Sequence, residues 1–108
     1  MAPAAQASQN LDRVFAALSD PTRRSILELL RSGSKSAGEI AETFHLTKPT
    51  LSHHFRVLRS AGLVRSERRG TSIVYTLQTN VLEDLASVLL DLASPKKTST
   101  ARKEAKAR

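Results

Sequence analysis

The chain has 108 residues, 17 Lys or Arg against 10 Asp or Glu, a formal net charge of +7, and neither cysteine nor tryptophan. That length is one domain's worth. The lack of cysteine excludes disulfides, thiolate metal sites and cysteine nucleophiles, and no apolar run approaches the roughly 20 residues of a membrane span.

Residues 1–9 are rich in Ala, Gln and Ser and show neither apolar periodicity nor the basic and apolar regions of a signal peptide, so a disordered N-terminal arm is expected there. The folded domain is expected over residues 10–94. Its first helix spans 10–18, where Leu11, Val14, Phe15 and Leu18 fall on one helical face. The second starts at Asp20 as N-cap with Pro21 at the first helical position, buries Ile26, Leu27, Leu29 and Leu30, and stops at Gly33. The third opens on Ser36-Ala37-Gly38-Glu39, a capping box in which the serine hydroxyl and the glutamate carboxylate each hold the other's backbone amide. After a break at His45-Leu46-Thr47, the fourth runs from Thr47 to about Ala61, with Leu51, Phe55 and Leu58 as its apolar stripe and Gly62 as its stop. Val64 to Leu77 reads as a two-stranded hairpin turning at Arg68-Arg69-Gly70-Thr71. The fifth helix spans 80–93 with Asn80 and Glu83 at its start and Leu82, Leu85, Leu89 and Leu92 along one side. Residues 95–108 hold six basic residues against Glu104 and no large apolar residue, a basic disordered tail.

Charge is unevenly placed. Residues 1–46 are neutral overall, 47–78 carry +5, 79–94 carry −3 and 95–108 carry +5. A basic block inside a fold suits a polyanionic partner. The fold class expected is α+β, mainly α: a winged helix-turn-helix of five helices and a two-stranded wing. A helix of this kind fits the major groove and reaches base edges with its N-terminal half. Opposite its apolar stripe the fourth helix offers Thr47, Lys48, Thr50, Ser52, His53, Arg56 and Arg59, with no carboxylate from Thr47 to Ala61. Arg68 and Arg69 at the hairpin tip suit phosphates or the minor groove. Leu11, Val14, Phe15 and Leu18, with Leu82, Leu85, Leu89 and Leu92, are more apolar surface than one small chain readily covers, so these two helices are expected to form a homodimer. His54, at the edge of the stripe, is expected to be packed and hydrogen-bonded.

Three stretches carry a family resemblance: Ala17 to Leu27, Leu46 to Leu58, and Ala61-Gly62-Leu63-Val64 followed by Arg69-Gly70 and Tyr75. Together they resemble ArsR/SmtB-type winged-helix transcriptional repressors over about residues 11–92. The Thr47-to-His54 run and the Thr79-to-Asp84 start of the fifth helix are most similar to the SdpR-like autorepressor branch. The resemblance implies a homodimer that reads an inverted-repeat operator in its own promoter region, with a membrane or other protein anti-repressor as the releasing partner; the absence of cysteine fits a cytoplasmic location. It departs from the family's metal sensors. Gly38 to Thr43 offers only Glu39 and Glu42, and the fifth helix has Glu83, Asp84 and Asp91 without a histidine, a poor zinc donor set. No metal, cofactor or small-molecule ligand is expected. No Gly-rich phosphate loop or catalytic constellation is evident, so no enzymatic activity is expected either. The residues leave two other readings open: a non-specific nucleoid or architectural DNA-binding protein, and a winged helix used for protein contact.

Overall fold

The computed structural model describes residues 2–96, with side chains from Asn10 onward. The elements in order are α1 (Ala2–Leu18), α2 (Pro21–Leu30), β1 (Lys35–Ser36), α3 (Ala37–Phe44), α4 (Lys48–Ser60), β2 (Val64–Arg69), β3 (Ser72–Leu77) and α5 (Asn80–Ala93). The basic tail from Lys97 onward lies outside the described residues.

Capping chemistry sets most boundaries. Asp20 Oδ2 accepts the Arg23 amide at 3.0 Å and opens α2. The capping box of α3 is complete: Ser36 Oγ accepts the Glu39 amide at 3.1 Å, and Glu39 Oε1 accepts the Ser36 amide at 2.8 Å. His45 ends α3 in the left-handed region at φ 54°, and the Leu46 amide reaches back to the Ala41 carbonyl. Thr47 then caps α4. At the far end of α4 the Gly62 amide bonds the Arg59 carbonyl and the Leu63 amide bonds the Leu58 carbonyl, each at 3.0 Å. That is a Schellman motif, closed by the contact-forming pair Leu58 and Leu63, both fully buried. Glycine suits position 62 because φ is +79°, and an added Cβ would also sit tightly, 3.1 Å from Val81 Cγ2 of α5.

Four local features differ from expectation. The first helix begins at Ala2, not near residue 10; an Ala- and Gln-rich run has high helix propensity even without an apolar face. The sheet has three strands in the order β1-β3-β2, because Lys35 and Ser36 pair with Tyr75 and Val74. The hairpin turn is Gly70-Thr71 alone: Arg68 and Arg69 belong to β2, paired with Ile73 and Ser72. Finally, Asn80 does not cap α5. Thr79 holds that position in a helical backbone conformation without a side-chain cap bond, and the chain's entry is set instead by the Gln78 amide on the Leu63 carbonyl at 2.9 Å.

The core lies between the helices and the inner face of the sheet. Ile26, Ile40, Leu58 and Leu63 are fully buried, and the rings of Phe55 and Tyr75 stack 3.6 Å apart at 4°. These contacts fix α4 by its inner face and leave the opposite face to solvent. α5 is different: among the described residues Leu85 is its one buried side chain.

Candidate nucleic-acid interface

α4 is aimed by three constraints. Leu51, Phe55 and Leu58 are buried, the His45-to-Thr47 turn sets its angle to α3, and Arg59 Nη1 donates weakly to Ser66 Oγ of β2 at 3.4 Å. Thr47, Lys48, Thr50, Ser52, His53, Arg56 and Arg59 are all exposed. Lys48, Ser52, Arg56 and Arg59 recur at intervals of four, four and three, a ridge about 16 Å long at 1.5 Å per residue. Arg59 is tied to the wing strand, so its guanidinium braces α4 against β2.

Arg68 and Arg69 are exposed at the wing tip. Arg69 lies 3.3 Å from Glu67 Oε1, both side chains 60% exposed, a pair that solvent screens. Between wing and helix lies a cleft of about 340 Å³ that Lys48, Ser52, Thr71 and Ser72 line with polar groups over a floor containing Phe55 and Tyr75. The surface from α4 to the wing is thus continuous, cationic and hydroxyl-bearing. It can donate many hydrogen bonds to phosphate oxygens and base acceptors at once.

His54 points inward, 9% exposed. Its Nδ1 accepts from Arg23 Nη1 at 3.2 Å, and Asp20 Oδ2 lies 3.9 Å away. Burial holds this imidazole below its ordinary value; the Asp20 carboxylate opposes the shift, and the Arg23 and His53 charges add to it. The Asp20 carboxyl also sits below its usual range, chiefly through the Arg23 amide it accepts and, against some burial, through the charges of Arg23 and His54. The contact of Arg23 with His54 was not legible in the sequence, since an arginine in a helix's first turn reads as solvated surface.

The apolar residues of the end helices divide. Val14 and Leu85 are sealed in the protomer's own core at 0% and 5% exposure. Leu11, Leu18 and Leu82 are half-buried, and Phe15, Leu89 and Leu92 are exposed. Leu90, which sequence periodicity left off the apolar stripe, is exposed as well. Among the described residues no three His, Asp or Glu side chains gather as metal ligands, and no helix is long and apolar enough to cross a membrane.

Residues 20–66 match the model of a bacterial regulatory protein family, the arsR family. The chain is 46% identical over 81 residues to the transcriptional repressor SdpR of Bacillus subtilis, covering 75% of this chain and 90% of that one. It is 36% identical to an arsenical resistance operon repressor of Staphylococcus xylosus, over 69% of this chain and 72% of the relative. Among solved structures, an ArsR-like transcriptional regulator from Rhodococcus superposes with a TM-score of 0.73 at 32% identity, covering 82% of this chain and 83% of that one. A homodimeric winged helix-turn-helix DNA-binding domain from Mycobacterium bovis superposes with a TM-score of 0.69 at 32% identity, covering 81% and 83%.

Proposed function

The chain belongs to the ArsR family of bacterial transcription regulators, and from that premise we propose that it represses transcription as a cytoplasmic homodimer bound to an inverted-repeat operator, its own promoter region included. The observation that carries this reading is the outward face of α4. Seven exposed residues that donate hydrogen bonds or carry positive charge stand on a helix whose opposite face is locked by Leu51, Phe55 and Leu58. Dimerisation through α1 and α5 would cover Phe15, Leu89 and Leu92. It would also set two copies of α4 about 34 Å apart, the spacing of successive major grooves. In this reading Arg56 pairs with a base edge, Lys48, Arg68 and Arg69 meet phosphates, and the basic tail adds attraction that is blind to sequence. No catalytic step is assigned to the chain.

The test is a gel shift on the promoter region upstream of the protein's own coding sequence against a scrambled duplex of equal length. Preferential retention of the promoter supports a specific repressor, whereas equal affinity makes the protein a non-specific DNA binder. Arg56→Ala should weaken promoter binding by about 1–3 kcal/mol and leave scrambled DNA nearly unaffected; an equal loss on both would reassign Arg56 to the backbone.

A further inference from the structure

One polar cluster lies away from the DNA-facing surface and is unexplained by it: Arg23, Asp20 and His54. Arg23 stands at the first turn of α2 and its guanidinium bridges two other helices. Nε donates to the Ala17 carbonyl at 2.8 Å and Nη2 to the Ala16 carbonyl at 3.1 Å, both in the last turn of α1. The Ala16 carbonyl also accepts the Ser19 amide at 3.2 Å and the Ser19 hydroxyl at 2.7 Å, whereas the Ala17 carbonyl, in the last turn, has no intrahelical donor. Nη1 reaches His54 Nδ1 on the inner face of α4 at 3.2 Å. The helix expected to dimerise and the helix expected to read DNA are therefore joined through one side chain.

We propose that Arg23 and His54 are positioning residues for DNA binding, holding α1 in fixed register on α4 only while His54 is unprotonated. The proposal rests on the dimeric DNA-binding reading above. A guanidinium can only donate, so His54 Nδ1 must offer a lone pair and its proton must sit on Nε2. A second proton on Nδ1 turns acceptor into donor. Two cations then face each other across the same gap, and the acceptor left in reach is Asp20 Oδ2 at 3.9 Å. That oxygen already accepts the Arg23 amide as the N-cap of α2. Protonation thus turns His54 from Arg23 toward Asp20, cuts the polar tie from the α1–α2 corner to α4 while Arg23 keeps its two bonds to α1, and strains the start of α2. The charged and titratable groups facing His54 are these two and His53, whose ring centroid is 5.7 Å away. His53 is exposed on the DNA side.

The experiment measures promoter affinity at constant salt from about pH 8 to about pH 5.5, the range in which imidazoles titrate. Wild-type affinity should fall roughly tenfold on acidification, the size of one charge-assisted hydrogen bond. His54→Gln, whose amide oxygen can still accept from Arg23, should keep its affinity at about pH 8 and lose the acid fall. Arg23→Lys should bind more weakly throughout and show no step. A His54→Gln profile that matches wild type overturns the proposal. A readout without DNA separates it from the DNA-binding reading: nitrogen NMR of the free protein at about pH 8 should find His54 protonated on Nε2, and a proton on Nδ1 overturns the clamp whether or not the promoter is bound.

Discussion

Replacing Leu89 by alanine should weaken self-association by a factor that the exposure of this side chain sets. Leu89 is 47% exposed in the protomer. Full burial of a leucine is worth about 1.5–3 kcal/mol, so covering the exposed half contributes about 0.7–1.4 kcal/mol. A two-fold interface counts each substitution twice, giving about 1.4–2.8 kcal/mol, or a dissociation constant roughly 10- to 100-fold higher. Alanine is the better helix former, so α5 itself is not weakened. Leu90→Ala is the internal control. Leu90 is more exposed, at 66%, but it points about 100° away from Leu89 and lies off the stripe formed by Leu82, Leu85, Leu89 and Leu92. Removing it should change the constant by less than about threefold. Sedimentation equilibrium over a dilution series, with circular dichroism confirming unchanged helix content, reads both. Leu89→Ala leaving the constant unchanged, or Leu90→Ala weakening it more, would show that the leucine stripe is not the contact face.

Three stability predictions follow from caps, core and charge. Ser36→Ala removes one half of the α3 capping box and should cost about 1 kcal/mol, seen as a lower urea midpoint at unchanged slope; an unmoved midpoint would mean that α3 is held by packing alone. Phe55→Ala empties the space against Tyr75 and should cost about 3–5 kcal/mol, a large share of a small domain's stability, so the variant should be substantially unfolded by circular dichroism at room temperature. Asp20 and His54 are both held below their ordinary values, so the unfolded chain takes up protons before the folded one. Their stabilisation is complete above the ordinary histidine value of 6.5 and is lost as pH falls, first through His54 and then through Asp20. Urea titrations across pH should show this fall, with His54→Gln flattening its upper part; stability rising on acidification through that range would contradict the burial of His54.

What the sequence made legible was whatever one short window can specify. Asp20-Pro21, Ser36-x-x-Glu39 and Gly62 each announce a helix boundary through chemistry that acts within four residues, and the spacing of Leu51, Phe55 and Leu58 names the buried face of α4. The outward face follows by subtraction, which is why its seven residues are exposed as expected. What was not legible depends on partners distant in the chain. Two residues, Lys35 and Ser36, are too few to show a strand's alternation, and only the edge of β3 makes them one. Val14 and Leu85 share a periodicity with Phe15 and Leu89, and periodicity gives the face of a helix but not whether the neighbour across it belongs to the same chain. The Arg23 clamp joins positions 31 residues apart, with no local pattern to announce it.

Among the described residues, the strand order leaves β2 at the rim of the sheet with one row of backbone amides and carbonyls unpaired by a neighbouring strand. Four of its six residues are charged, and charged rims discourage sheets from joining end on into polymers. Beside the phosphate contacts proposed for Arg68 and Arg69, the charges of Arg65, Arg68 and Arg69 guard this rim against such joining. Neutral, apolar replacements made to probe contacts with nucleic acid would strip that protection too, and a lost gel shift would then report precipitation as readily as a lost phosphate. Reversing charge, Arg68→Glu for example, severs the electrostatic attraction while the rim stays guarded.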